Sequence, residues 1–151
     1  MNKFIKIIYL VILTFPLLFL NFAKASEKLK IGILAPMTGP NKNLGQSIIK
    51  SIRLAVKDIN SDLIEVIPKD TSSSPEKTLQ SANELKEMGV RIVIGPIFYE
   101  NLIYLDKIED LTFLSLTNKT LDLPKNVISA GVNSTSQLNT IKKFLKESNI
   151  N

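Results

Sequence analysis

Cysteine and histidine are both missing from this 151-residue chain, and the two absences remove several kinds of chemistry together. Ser–His and Cys–His nucleophile pairs cannot be assembled within it. The soft ligands that select zinc are gone. No disulfide can staple the fold, so the core must hold it unaided. No serine occupies a G-x-S-x-G turn. The acids Asp58, Asp62, Glu65, Asp70, Glu84 and Glu87 are scattered and read mostly as solvated helix or loop positions, with no evident paired-carboxylate arrangement. The expectation is a protein that is not an enzyme and carries no metal and no cofactor.

Two more absences concern nucleotides. A phosphate-binding loop needs two glycines five positions apart followed by Lys and Ser/Thr; Gly39 and Gly45 are six apart, and Gln46 follows. Three closely spaced glycines of the dinucleotide type do not occur. A phospho-receiver would place acids after its first and third strands to hold magnesium, where this chain has Pro36 and Gly95-Pro96.

Acidic residues are also absent from the first 25 positions, which hold Lys3, Lys6 and Lys24. The net charge of +5 is therefore misleading, because the rest of the chain sets 16 basic against 14 acidic groups. A body so near neutrality carries no electrostatic footprint for nucleic acid. MNKFIK is a short positive segment, Ile7–Leu20 an apolar run, and Ala23–Ala25 the small-x-small pattern that signal peptidase accepts. The run contains Pro16 and is short of the roughly 20 residues that span a bilayer. Residues 1–25 are expected to be a cleaved signal peptide, cut before Ser26, leaving no stable membrane anchor. With a composition rich in Lys, Ile and Asn, the expected compartment is the bacterial periplasm.

Residues 26–151 alternate short apolar runs with amphipathic segments. Lys30–Ala35, Leu63–Ile67, Arg91–Ile94, Thr112–Leu116 and Asn126–Ala130 read as buried strands. A helix is expected from Leu44 to Asn60, capped by Asn43 with Gln46 three residues on. Ser74-Pro75-Glu76 opens a second helix that Gly89 ends. Tyr99–Glu109, with Leu102, Leu105 and Ile108, predicts a third. A fourth, capped by Ser134 with Gln137, is expected to bury Leu138, Ile141, Phe144 and Leu145. The fold class this implies is α/β, an open, doubly wound parallel sheet of about five strands with helices on both faces.

Such sheets bind ligands beyond the carboxyl ends of their strands, here 36–43, 70–74, 95–99, 117–120 and 131–133. Loops rich in Ser, Thr and Asn, with free N–H groups at helix starts, suit a carboxylate or a neutral polar ligand. The candidate ligand-binding residues are Thr38, Tyr99, Ser115, Thr117 and Asn118. The hydroxyl and amide side chains among them are equally what turns and helix caps require. Phe98 and Tyr99 fit an aromatic ligand wall, and Phe98 fits as well tucked beneath the third helix.

The run KIGILAPMTGPNKNLGQSIIKSIRLAVKDIN resembles the opening of type 1 periplasmic binding proteins of the leucine/isoleucine/valine-binding kind: Pro36, Thr38, Gly39, Pro40 and Gly45, then Asp58-Ile59-Asn60. Asp70 with Ser74-Pro75-Glu76-Lys77, then VRIVIGPIF, TFLSLTNKT and NVISAGVNSTSQ, resemble its later elements in order. The resemblance covers residues 29–151 and implies the N-terminal lobe of a protein that closes on an amino acid-like ligand between two lobes and delivers it to a membrane transporter permease. Amino-acid binders of that family place small hydroxyl residues after the Gly-Pro turn, where this chain has Phe98 and Tyr99. IGPIFYENL and LSLTN are similar to a relative, the binding-protein-like domain of penicillin-binding protein activators. That resemblance implies contact with a peptidoglycan synthase instead.

Overall fold

The computed structural model describes Lys3 and residues 28–148; the expected signal peptide and its expected cut before Ser26 otherwise fall outside them. Five strands, β1 (Leu29–Ala35), β2 (Ile64–Asp70), β3 (Ile92–Ile94), β4 (Thr112–Ser115) and β5 (Val127–Ser129), form one sheet in the order β2-β1-β3-β4-β5. Every neighbouring pair is parallel. The chain winds outward from β1 to β2, then returns past β1 to lay down β3, β4 and β5. All five carboxyl ends therefore lie on one edge, and the direction of winding reverses between β1 and β3.

β2 runs three residues beyond the sequence expectation, through Pro68 to Asp70. Proline has no N–H for a ladder, but β2 is an edge strand, where that donor is not needed. Helix α1 (Lys42–Ile59) begins earlier than expected. Asn41, not Asn43, holds the N-cap position, and its side chain makes no cap. Its amide donates instead to Ser73 Oγ, at 3.1 Å. Helix α2 (Pro75–Glu87) starts as the sequence predicts, with Ser74 Oγ accepting from the Lys77 N–H and proline in the first turn. Helix α3 (Ser134–Glu147) is capped one residue before the expected Ser134: Asn133 and Ser136 form the reciprocal capping box.

The expected third helix is not an α-helix. Tyr99–Leu102 and Leu105–Lys107 are two 3₁₀ turns. Its apolar residues, Leu102, Leu105 and Ile108, are spaced by three, which is the 3₁₀ repeat and not the 3.6 of an α-helix. All three are buried. Asn126 at the foot of β5 holds this segment, donating to the carbonyls of Leu105 and Ile108 at 2.8 Å each.

The larger core lies on the α2 face of the sheet. Leu34, Ile67, Val93, Phe113 and Val127 from the strands meet Ala82 and Leu85 of α2 and the three apolar residues of the 3₁₀ segment. The opposite face holds a smaller cluster, Ile33, Ala35 and Ile49, with Ile52, Val66 and Ile97 packed against it. Helix α3 departs from expectation: Leu138, Ile141, Phe144 and Leu145 are 53%, 54%, 62% and 37% exposed. Its apolar stripe formed a helix, but no part of the described sheet meets that stripe.

Candidate functional site

The edge where the five strand tips meet is built by two sets of locked loops. The first joins the segment after β1 to the segment after β2 through Asp70. Its carboxylate accepts from the Met37 N–H (2.7 Å), the Thr38 N–H (3.3 Å), Thr38 Oγ1 (2.6 Å), the Ser72 N–H (2.8 Å) and Ser72 Oγ (2.9 Å). Partial desolvation alone would raise the Asp70 pKa. The bonds from Thr38, Met37 and Ser72 outweigh it and hold the group far below the usual carboxylate range. Ser72 and Ser73 both adopt left-handed backbone, at φ 47° and 57°, a conformation that costs non-glycine residues energy unless the surroundings fix it. The Asp70 clamp and the Asn41–Ser73 bond supply that constraint.

Sequence reasoning placed Asp70 among the mostly solvated acids and missed this role. The signal was present: an Asp at a strand end with Ser two residues on is the pattern in which a carboxylate caps its own turn. The close packing of the first loop explains Gly45. A Cβ there would run into the Pro36 carbonyl, so α1 can approach the loop only with glycine at that point.

The second set joins the tips of β3 and β4. Ser115 is fully buried; its hydroxyl donates to the Pro96 carbonyl (2.9 Å) and accepts from the Thr117 N–H (3.3 Å). Thr117 Oγ1 accepts from the Lys119 N–H at 3.2 Å, and the Thr117 carbonyl accepts from Ser129 Oγ of β5 at 3.0 Å. Above these bonds opens a cavity of about 410 Å³ lined by Ile97, Phe98, Tyr99, Glu100, Leu116, Thr117 and Asn118. Lys119 places its ammonium 3.5 Å from the centroid of the Tyr99 ring, a cation–π contact.

Of the five sequence-predicted residues, Tyr99, Thr117 and Asn118 meet in this cavity. Ser115 lies beneath it with its hydroxyl committed to the turn. Thr38 stands on the neighbouring rim, its hydroxyl committed to Asp70 and within 2.9 Å of Ser72 Oγ. Phe98 lines the cavity. Glu100, which no sequence pattern singled out, also lines it, and Lys119, likewise not foreseen, lays its ammonium on the Tyr99 ring. Two further depressions, of about 420 and 600 Å³, lie along the 3₁₀ segment and the loop before β5. They are made by a connection, whereas the 410 Å³ cavity is made by strand tips next to the winding reversal, where open sheets hold ligands.

The lobe is doubly wound, with its polar loops gathered at the edge formed by the strand carboxyl ends. The chain belongs to the periplasmic binding protein family, whose model matches residues 28–148. Among curated proteins it is similar to the Leu/Ile/Val-binding protein BraC3 of Rhizobium johnstonii, 29% identical over 48% of this chain and 22% of that protein. Leu/Ile/Val-binding protein homolog 1 of Brucella abortus is 35% identical over 43% of this chain and 19% of its own length. The matched stretch thus spans about a fifth of these relatives. Among solved structures, the leucine-binding protein LivK of Thermotoga maritima superposes with TM-score 0.62 at 18% identity, over 80% of this chain and 37% of that one. LpoA of Haemophilus influenzae gives 0.64 at 22% identity, over 87% and 24%. These structural likenesses show the fold.

Proposed function

We propose that the chain is the solute-binding lobe of an exported periplasmic protein that holds a small polar ligand such as an amino acid and serves an ABC-type transporter. The observation that carries this reading is the cavity of about 410 Å³ at the β3 and β4 tips, lined by the rings of Phe98 and Tyr99 together with Glu100, Thr117 and Asn118. Glu100 complements the ammonium of such a ligand, the Asn118 amide offers a donor to its carboxylate, and Phe98 and Tyr99 offer apolar surface to its side chain. Residues 26–151 make one lobe, and the ligand's other side is covered by a second lobe or a partner. The names of the curated relatives, Leu/Ile/Val-binding proteins, support the same ligand class.

Thermal-shift and calorimetric titration with a panel of amino acids tests this. A ligand at a hundred times its Kd stabilises the folded chain by about 2.7 kcal/mol, and Tyr99→Ala should abolish the shift.

A second reading rests on the two large rings, Phe98 and Tyr99, two and three residues past Pro96, and on the LpoA superposition, one such structure being described as a regulator of PBP1A. On that reading the chain is an envelope regulator that contacts a peptidoglycan synthase and takes no solute. No stabilisation by any amino acid, together with capture of a synthase, would favour it over transport.

A further inference from the structure

Two cavities meet at Tyr99. It stands in the wall of the 410 Å³ cavity at the β3 and β4 tips and in the wall of the 420 Å³ depression along the 3₁₀ segment. Among the described residues no other lines both. Leu102, Ile103, Leu123 and Pro124 make the depression largely apolar, and Asp106 and Asp122 give it negative charge. The walls of both spaces come from two stretches, residues 97–106 and 116–124.

Tyr99 opens the first 3₁₀ turn. The backbone there is held, since the Asn101 N–H donates to the Phe98 carbonyl at 3.2 Å and Leu102 is buried. The side chain is held less firmly. It is half-buried, and the exposed Lys119 lays its ammonium on the ring at 3.5 Å from the centroid. A cation over a ring at an exposed site favours that arrangement by a factor of about two to five. That is enough to set the resting position of the ring and too little to lock it. The latch is also tied to the cavity: the Lys119 N–H donates to Thr117 Oγ1 at 3.2 Å, and Thr117 and Asn118 line the cavity. A ligand against Thr117 and Asn118 therefore touches the turn that carries the latch.

We propose that Tyr99, latched by Lys119, is a size gate and that the depression behind it is a second subsite for the apolar side chain of a dipeptide, an inference that rests on the amino acid reading of the 410 Å³ cavity. With the ring latched, the strand tips offer one cavity near the lower end of the roughly 300–1,000 Å³ that hold small ligands, and they take a single amino acid. With the ring swung aside, the space about doubles. The first residue keeps its place beside Glu100 and Asn118, and the second side chain packs on Leu102 and Leu123. Asp106 and Asp122 repel an acidic side chain at that position.

Leucine, leucyl-leucine and leucyl-glutamate titrated calorimetrically into the full chain separate the gate from the site. Lys119→Met removes the cation and keeps the bulk of the side chain, whereas Lys119→Arg keeps a cation that stacks on aromatic faces. Affinity for leucyl-leucine relative to leucine should rise about two- to fivefold in Lys119→Met and stay at the wild-type ratio in Lys119→Arg. The leucyl-glutamate ratio should rise in neither. Without any ligand, the Tyr99 ring-proton NMR shifts should move further in Lys119→Met than in Lys119→Arg. Leucine binding with one dipeptide ratio in all three chains, or Tyr99 shifts that ignore Lys119→Met, would overturn the gate and leave the solute reading standing. A rise for leucyl-glutamate equal to that for leucyl-leucine would overturn the subsite. Binding of neither leucine nor dipeptide by any of the three chains would remove the solute reading and the gate with it.

Discussion

Replacing Asp70 by Asn isolates the clamp that joins the first two strand-tip loops. The carboxylate accepts five hydrogen bonds from Met37, Thr38 and Ser72. The amide keeps one oxygen and turns an NH₂ toward groups that are themselves donors. Bonds to a charged group contribute about 1.5–3 kcal/mol each where water is excluded. The Asp70 side chain is partly solvated, so screening and competing water reduce the sum greatly, and the expected loss is about 2 kcal/mol at pH 7. That corresponds to a fall in Tm of roughly 6–10 °C for a folded body of this size. Urea unfolding followed by circular dichroism measures it.

The pH dependence gives the sharper signature. Asp70 titrates well below its ordinary value in the folded chain, so its contribution is complete above the unfolded pKa of about 3.9 and is lost as pH falls below it. The stability difference between wild type and Asp70→Asn should hold steady from about pH 7 to 5 and shrink progressively below about pH 4. An Asp70→Asn variant as stable as wild type, or a difference that does not change between those limits, would refute this reasoning.

Five other substitutions probe the fold. Gly45→Ala should cost more than about 2 kcal/mol in thermal unfolding because its Cβ meets the Pro36 carbonyl; Gly39→Ala, at φ 76° in open space, should cost only about 1 kcal/mol. Phe113→Ala, wholly buried on β4, should lose about 3–5 kcal/mol by denaturant titration. Glu84→Gln, which breaks the 2.7 Å pair with Lys69, should leave the denaturant midpoint nearly unchanged, since the pair is solvent-exposed and screened. Asn101 is buried, and its side chain has no hydrogen-bond partner among the described residues. Asn101→Leu should therefore be neutral or stabilise by about 1 kcal/mol in the same titration.

The sheet was legible in sequence because each strand is an apolar run closed by a turn signal, and a run of that kind has one meaning in an alternating chain. Strand lengths were less so. β2 continues through Pro68, which sequence reading treats as a stop and an edge position tolerates. Helix caps slipped by one or two residues wherever several Asn and Ser stood together, as at 41–43 and 133–136, since each of them can accept from a helix N-terminus. The stretch after β3 was misread for a different reason. A spacing of three is compatible with one stripe of an α-helix over two turns, and only the third repeat, Ile108, separates it from a 3₁₀ segment. Helix α3 shows the limit of amphipathic reading: periodicity states that a face is apolar and leaves open what lies opposite.

At the candidate site, position along the strand tips picked out Tyr99, Thr117 and Asn118, which line the cavity. It did not foresee that Ser115 and Thr38 spend their hydroxyls inside the scaffold. Nor did it find Lys119, because the cation–π contact with Tyr99 joins two loops twenty residues apart.

The proposal that the strand tips hold a solute is tested most directly by mapping where a bound solute touches the chain, using backbone amide NMR shifts during titration with amino acids. Shifts confined to residues 36–41, 95–101 and 115–119, at the carboxyl ends of β1, β3 and β4, are the expected result. Shifts gathered at the opposite edge, around Leu63, Val90 and Leu111, or spread without regard to the strand tips, would contradict it.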